Sequence, residues 1–366
     1  MKKTMKLNFY NYLKVELPSN LNTNYFKKFE VQEINKTLDV SLNILEIPHI
    51  ENEDHILISN YMSYNPITKE IFLIDKNGKY CKSVFGFMKQ SKINIECEKG
   101  FASSDIVAYI IKPLLRRVLI DNNNALIHAS SFAYNNKATL IAAWAHTGKT
   151  STLLTNIVNG AEYLGDDLSV ISNKGTIKPF PSPINLFYYN LRDIPEIKKE
   201  IPLFSKLKFF ILEKIATIFS FFNKISTNPN MKYLFYAGKT FFNSASHVPF
   251  KIKSNYSLNE MQMDKKVVKN ILLERTPNIL SDFKTNSISP DIFAERMQQC
   301  INYEFQRFNE ITTSALWVPF YKGEDLFNNE ELTIYKEFAN LINPINVQIP
   351  QKMDFKNTDF LNMVNN

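Results

Sequence analysis

The segment from Thr139 to Thr150, Thr-Leu-Ile-Ala-Ala-Trp-Ala-His-Thr-Gly-Lys-Thr, is an apolar strand running into a loop that closes on Gly148-Lys149-Thr150, and a helix from Ser151 to Asn159 follows. A loop of this shape suits a polyphosphate, because a tight turn and a helix N-terminus present unpaired backbone N–H donors with the helix dipole behind them. Gly148 admits close approach of the backbone. Lys149 reaches the β- and γ-phosphates as a mobile point charge, and the Thr150 hydroxyl is placed to ligate the magnesium that bridges them. The candidate nucleotide-binding residues are therefore Ala143, Trp144, Ala145, His146, Thr147, Gly148, Lys149, Thr150 and Ser151. Gly160 is positioned as the C′ residue that ends the helix. Four of the nine glycines, Gly148, Gly160, Gly165 and Gly175, fall in this stretch, so tight backbone geometry concentrates where the nucleotide would sit.

A second stretch, Glu162-Tyr-Leu-Gly-Asp-Asp-Leu-Ser-Val-Ile-Ser172, reads as a strand, an acidic corner and a second strand that turns at Asn173-Lys174-Gly175. Adjacent carboxylates at a strand end suit phosphoryl transfer: one can hold the metal while the other accepts a proton from the attacking hydroxyl. Upstream, Asn124 to Tyr134 is an apolar strand that carries His128 and pairs through Asn135-Asn136 with the strand entering the loop. The hairpin would bring His128 toward the phosphate end. An ordinary hydrogen-bonded core histidine is the competing reading.

Taken together, Leu126-Ile-His-Ala-Ser130, the short hairpin, Ala143-Trp-Ala-His-Thr-Gly-Lys-Thr150 and Leu164-Gly-Asp-Asp-Leu168 resemble the kinase domain of HPr kinase/phosphorylase, itself similar in fold to phosphoenolpyruvate carboxykinase. The resemblance covers residues 105–180 and includes the intervals from His128 to Lys149 and from Lys149 to Asp167. It implies that Lys149 binds phosphate, that Thr150 stands for the family's magnesium-ligating serine and that Asp167 is the proton acceptor. It also implies that His128 belongs to the active site and that Asp166 supports the metal or the substrate hydroxyl. The family loop reads Gly-x-Ser-Gly-x-Gly-Lys-Ser, whereas this chain has Ala143, Ala145 and His146 at the glycine, serine and glycine positions. The family's downstream glutamate and arginine have no evident match, although Glu274 and Arg275 follow the strand-like run Val267 to Leu273.

A chain of 366 residues with 45% hydrophobic content can bury a large core and more than one unit. The first hundred residues alternate polar and apolar in short runs, with Asn77-Gly78 as a hairpin turn, and read as a strand-rich N-terminal portion that recognises substrate or extends the kinase sheet. A helix from Ser104 to Ile120 follows, kinked at Pro113. Residues 207–222 form a broad apolar helix with three charges, too short and polar to span a bilayer. The first expectation for it is burial inside the fold. A partner or oligomer surface and a membrane-surface helix are the alternatives. It lies in an insertion at residues 194–264 that could form a lid or a substrate groove. Farther on, a helix beginning at Ser289-Pro290 carries Phe293, Met297, Cys300, Ile301, Phe305 and Phe308 on one face.

The net charge of +7 is spread over many lysines and gives no nucleic-acid module, while favouring acidic or phosphorylated partners. Cys81, Cys97 and Cys300 are too few and too separated for a disulfide framework or zinc site. The start of the chain has no apolar core for a signal peptide, so the expected location is cytoplasmic. The expected architecture is α/β, an HPr-kinase-like P-loop core with a mixed central sheet and flanking helices over residues 101–366, plus the strand-rich portion over residues 1–100. The expected function is a kinase using ATP and Mg2+ to phosphorylate a serine hydroxyl of a protein or ribosomally made peptide. The alternatives are a nucleotide-binding regulatory or scaffold protein without phosphotransfer and a small-molecule kinase. Homo-oligomerisation is left open.

Overall fold

The computed structural model describes residues 4–21, 24–31, 39–144, 147–187, 190–191, 194–245, 247–250, 252, 263–276, 282–323 and 329–365. Nine N-terminal strands come first: β1 (Thr4–Phe9), β2 (Leu13–Pro18), β3 (Glu30–Val31), β4 (Val40–Ile47), β5 (Ile56–Ser59), β6 (Met62–Asn65), β7 (Glu70–Ile74), β8 (Tyr80–Lys82) and β9 (Lys92–Glu98). They form one sheet in the order β3-β1-β2-β4-β9-β8-β7-β6-β5. Alternation along β9 buries Ile93, Ile95 and Cys97 and exposes Lys92, Asn94 and Glu96, which is how a sheet packed on one face is written. The turn between β7 and β8 is held by Asp75, whose carboxylate accepts from the Asn77 and Lys79 amides, with Gly78 at φ 70°.

The next helical run has three parts, α1 (Ser103–Ile106), a π-helical turn (Val107–Ile111) and α2 (Lys112–Asp121). Pro113 has no N–H to give to an α-helical ladder, and the wider π turn just before it absorbs the missing bond. This run packs between the two sheets, and one hydrophobic cluster extends from Leu7 and Phe9 through Ile110 and Leu114 to Phe338 and Ala339.

The second sheet is built from β10 (Asn124–Ile127), β11 (Ala129–Tyr134), β12 (Lys137–Ala143), β13 (Glu162–Gly165), β14 (Ser169–Ser172), β15 (Thr176–Lys178) and, after the insertion, β18 (Lys265–Arg275), in the order β10-β14-β15-β18-β12-β11-β13. Between β12 and β13 lies α3 (Lys149–Val158). The sheet is mixed, because β12 and β18 run parallel while their other neighbours on this path run antiparallel. Asn135 and Asn136 both have positive φ, 48° and 63°, which a two-residue hairpin between Tyr134 and Lys137 requires. Helix α3 ends as expected at Gly160: the amides of Gly160 and Ala161 bond back to Ile157 and Asn156 in a Schellman closure.

Two expectations need correction. The strand anticipated from Asn124 to Tyr134 breaks at His128, so β10 pairs with β14 and β11 with β13. The cause is a sharp bend shared with the facing segment, which breaks at Asp166-Asp167. The helix read over residues 207–222 is the longer α4 (Leu203–Ile225), and it is not buried inside the fold: only Phe209 and Ala216 are. It pairs with α5 (Pro229–Ala245) as a helical hairpin. The insertion leaves and returns through a two-stranded neck, β16 (Ile184–Phe187) antiparallel to β17 (His247–Phe250). Among the described residues, no helix is long and apolar enough to cross a membrane.

The C-terminal third adds β19 (Lys284–Ser287), α6 (Pro290–Glu304), α7 (Gln306–Ala315), α8 (Asn329–Leu341), β20 (Ile345–Ile349) and α9 (Thr358–Asn365). Strand β20 extends the sheet parallel to β18. Ser289 caps α6, its hydroxyl accepting from the Ile292 amide at 3.2 Å. A fully buried ion pair fixes α2 to the last third: Arg116 donates to Glu331 on α8 through Nε (3.0 Å) and Nη2 (2.6 Å), and Nη2 also reaches Asn302 on α6. Arg116→Ala would strand the Glu331 carboxylate in the core and is expected to cost about 3–5 kcal/mol in urea unfolding, whereas Arg116→Met with Glu331→Leu should recover most of it. A loss below about 1 kcal/mol for the single change would show the pair to be dispensable.

Candidate functional site

The two segments 124–134 and 162–172 keep the same antiparallel register immediately on either side of their breaks, Ile127 facing Ser169 and Ser131 facing Gly165, and the register shifts by one only beyond, between Ser131 and Phe132. The bend residues therefore meet across the gap. The Ser130 hydroxyl donates to Asp166 Oδ1, and the Ser131 and Ser169 hydroxyls lie 2.9 Å apart. The acidic corner is tight. A Cβ on Gly165 would stand 2.7 Å from the Leu168 carbonyl, and Asp167 adopts φ 64°, a left-handed conformation that aspartate tolerates better than most residues. Behind the corner, the Ser182 hydroxyl donates to the Asp166 carbonyl and the Tyr163 hydroxyl to that of Ser182.

The loop arrives from the parallel strand β12. Gly148, at φ 125°, caps α3, and any side chain there would strike the Phe355 ring at 2.5 Å. The amides of Lys149 and Thr150 lie ahead of the first intrahelical bond, which runs from Thr152 to Gly148. Lys149 folds back inside: its ammonium donates to the Ala143 carbonyl at 2.7 Å and meets His128 Nε2 at 2.6 Å. An ammonium has only donors, so Nε2 is the acceptor and the imidazole proton sits on Nδ1, 3.3 Å from the Glu304 carboxylate. Although that distance is within ion-pair range, burial and the Lys149 charge push His128 down to about 3, so the ring is neutral at pH 7. Burial likewise lowers Lys149, against the opposing charges of Asp166 and Asp167.

The Thr150 hydroxyl donates to Asp166 Oδ2 at 3.1 Å, joining the loop helix to the acidic corner. Burial, then the neighbouring Asp167 charge, raises Asp166 to about 6 against the hydrogen bonds from Ser130 and Thr150 and the Lys149 charge. An oxygen pair separated by 3.1 Å is close to the ~3 Å edge of an octahedron of ligands at about 2.1 Å, so Thr150 and Asp166 fit a magnesium ion. Among the described residues no three His, Cys, Asp or Glu side chains gather for a metal, but magnesium needs only one or two carboxylates beside phosphate and water oxygens.

Of the remaining residues proposed for the loop, Trp144 is about half exposed with its ring 5.0 Å from that of Tyr303. Buried Thr147 gives its carbonyl to Arg275 at 3.2 Å, and the Ser151 hydroxyl accepts from Asn190 at 3.1 Å. Ala145 and His146 lie outside the described residues. Arg275 thus borders the loop, while Glu274 is engaged by Arg296 and Asn346.

Three groups join the site from elements that the motifs did not point to. Glu304, at the end of α6, is raised by burial and by Asp167; Lys112, at the start of α2, is lowered by burial while Glu304 and Asp167 oppose the shift. Tyr25 stands under Lys112, whose ammonium is 4.3 Å from its ring centroid, and burial and the Asp167 charge push its phenol well up. Glu304 carries one legible signal: it is four residues beyond Cys300, on the edge of the apolar stripe of α6. Lys112 interrupts an apolar helix face without further mark. A scan against protein-family models and a search of curated proteins both return no match.

The raised Asp166 carboxyl has a thermodynamic consequence. Its folded-state value near 6 exceeds the unfolded value near 4, so its penalty is full above about pH 6, shrinks as pH falls from 6 to 4 and is absent below that. Asp166→Asn retains an acceptor for Ser130 and offers Thr150 a donor, and it should raise Tm by about 2–5 °C at pH 8 and leave it unchanged at pH 4. Equal destabilisation at both values would overturn the assignment.

Proposed function

We propose that this chain is an ATP- and magnesium-dependent kinase of the HPr-kinase-like type, phosphorylating a serine hydroxyl in a protein or ribosomally made peptide. The single observation that supports this reading is the 3.1 Å hydrogen bond between Thr150, on the loop helix, and Asp166, in the acidic corner, which brings those two elements together. Magnesium, when bound, would neutralise charge on the polyphosphate, and Thr150 and Asp166 are the residues that would hold it. The Lys149 and Thr150 amides bind phosphate oxygens at the positive end of α3, with the Lys149 ammonium adding its charge. Asp167 is half-buried and thus reachable by an acceptor, and it takes the hydroxyl proton. His128 remains neutral and orients Lys149 from within. Positioning and electrostatics carry most of such a reaction.

One observation favours a second reading, a nucleotide-binding regulatory protein without phosphotransfer: the Lys149 ammonium is already satisfied by Ala143 and His128, in a loop that lacks three of the family's small residues. The two readings part on a direct assay. Incubated with ATP, magnesium and a serine-containing peptide, the kinase adds one phosphate, read by mass spectrometry, and the regulatory protein adds none. Asp167→Asn should lower transfer by about 10²–10⁴-fold while ATP still shifts Tm, whereas Lys149→Ala should lose both. Undiminished transfer in either variant would end the assignment.

A further inference from the structure

The hairpin of α4 and α5 has its apolar surface on the wrong side for a core. At about 100° per residue, Phe204, Phe210, Ile218, Phe221 and Ile225 fall in one arc of about 120°, on the opposite side of α4 from buried Phe209 and Ala216. More than half of the surface of each of these five is exposed. On α5, Tyr233, Tyr236 and Phe241 are exposed in the same way. The seam between the two helices is already filled by other rings: Phe219 lies 5.4 Å from Phe242, Phe222 lies 5.5 Å from Phe235, and Gly238 leaves room for Phe219, which a Cβ there would approach to 2.3 Å. Folding the hairpin therefore engages one set of aromatics, of which Phe222 stays partly exposed, and leaves a second set facing outward.

The charge on the hairpin says what would cover that face. Lys206, Lys208, Lys214, Lys224, Lys232 and Lys239 stand against a single acidic residue, Glu213. On α4, Lys206 and Lys224 border one edge of the apolar arc and Lys208 the other, while Lys214 lies inside it with its ammonium 5.5 Å from the centre of the Phe210 ring. A second copy of the chain is a poor occupant, since a two-fold contact would set the same six lysines against themselves. A bilayer interface with anionic headgroups meets both demands: phenyl and aliphatic groups enter the acyl boundary, tyrosines sit at headgroup depth, and flanking lysines extend along their own stems to the phosphates. We propose that the α4–α5 hairpin is a membrane-surface anchor that lays its outward face on anionic lipid without crossing the bilayer.

The test is sedimentation of the whole protein with vesicles of phosphatidylcholine alone or of equal parts phosphatidylcholine and phosphatidylglycerol. Binding is expected only to the second, weakening as salt is raised. Phe204→Glu with Phe221→Glu should abolish it. Lys206→Gln with Lys224→Gln should weaken it by roughly 25-fold, at about 5-fold per lysine. All four positions are on the outward side of the hairpin or at its edges, so Tm should hold, and the milder lysine pair decides the matter if the glutamate pair does not fold. Recovery of the wild-type protein in the supernatant with both vesicles overturns the proposal. So does a dimer in light scattering that Phe221→Glu converts to monomer while vesicles bind nothing, an outcome that would assign the face to a second copy.

Discussion

The site rests on one constraint, the antiparallel register that β10–β14 and β11–β13 share across their bends, kept from Ile127–Ser169 to Ser131–Gly165 before it shifts between Ser131 and Phe132. Because pairing resumes in step after both segments bend, Ser130 is brought to Asp166, and a further hydroxyl contact joins Ser131 to Ser169 across the two strand pairs. A slip of one residue would turn every side chain to the other face and take Asp166 away from Thr150. Gly165 and the left-handed Asp167 are the backbone conditions under which that bend can be made.

Burial then decides the electrostatics. Asp166 is driven up, and Lys149, His128 and Lys112 are driven down, each toward its neutral form. Glu304 follows the same direction. These five groups are displaced toward neutrality by desolvation, so a charged ligand entering beside them would interact in a weakly screening medium.

Local chemistry made much of this legible from residue types alone. Asn135-Asn136 specified its hairpin, Gly160 its helix end, Ser289-Pro290 a helix start, and the strand, loop and helix around Lys149 followed from composition and order. What stayed hidden came from elsewhere in the chain. Glu304 and Lys112 lie on helices that converge on the corner only once two sheets and α6 have packed, and no local pattern encodes that approach. The break at His128 is likewise a property of a strand pair and not of either strand. For α4 the periodicity was present, but an apolar stripe does not state whether the protein or something outside it lies opposite. Only the placement of Phe209 and Ala216 reveals which side is inward.

Ser182 gives the neck a mechanical meaning. Its hydroxyl ties down the Asp166 carbonyl, the Phe180 amide before it bonds to Leu164, and β16 begins at Ile184, so the strand leading out to the helical hairpin starts at the floor of the acidic corner. The backbone that orients the acidic corner and the first strand of the neck are thus one continuous stretch, residues 180–187. The arm is rooted in the site and not at its rim.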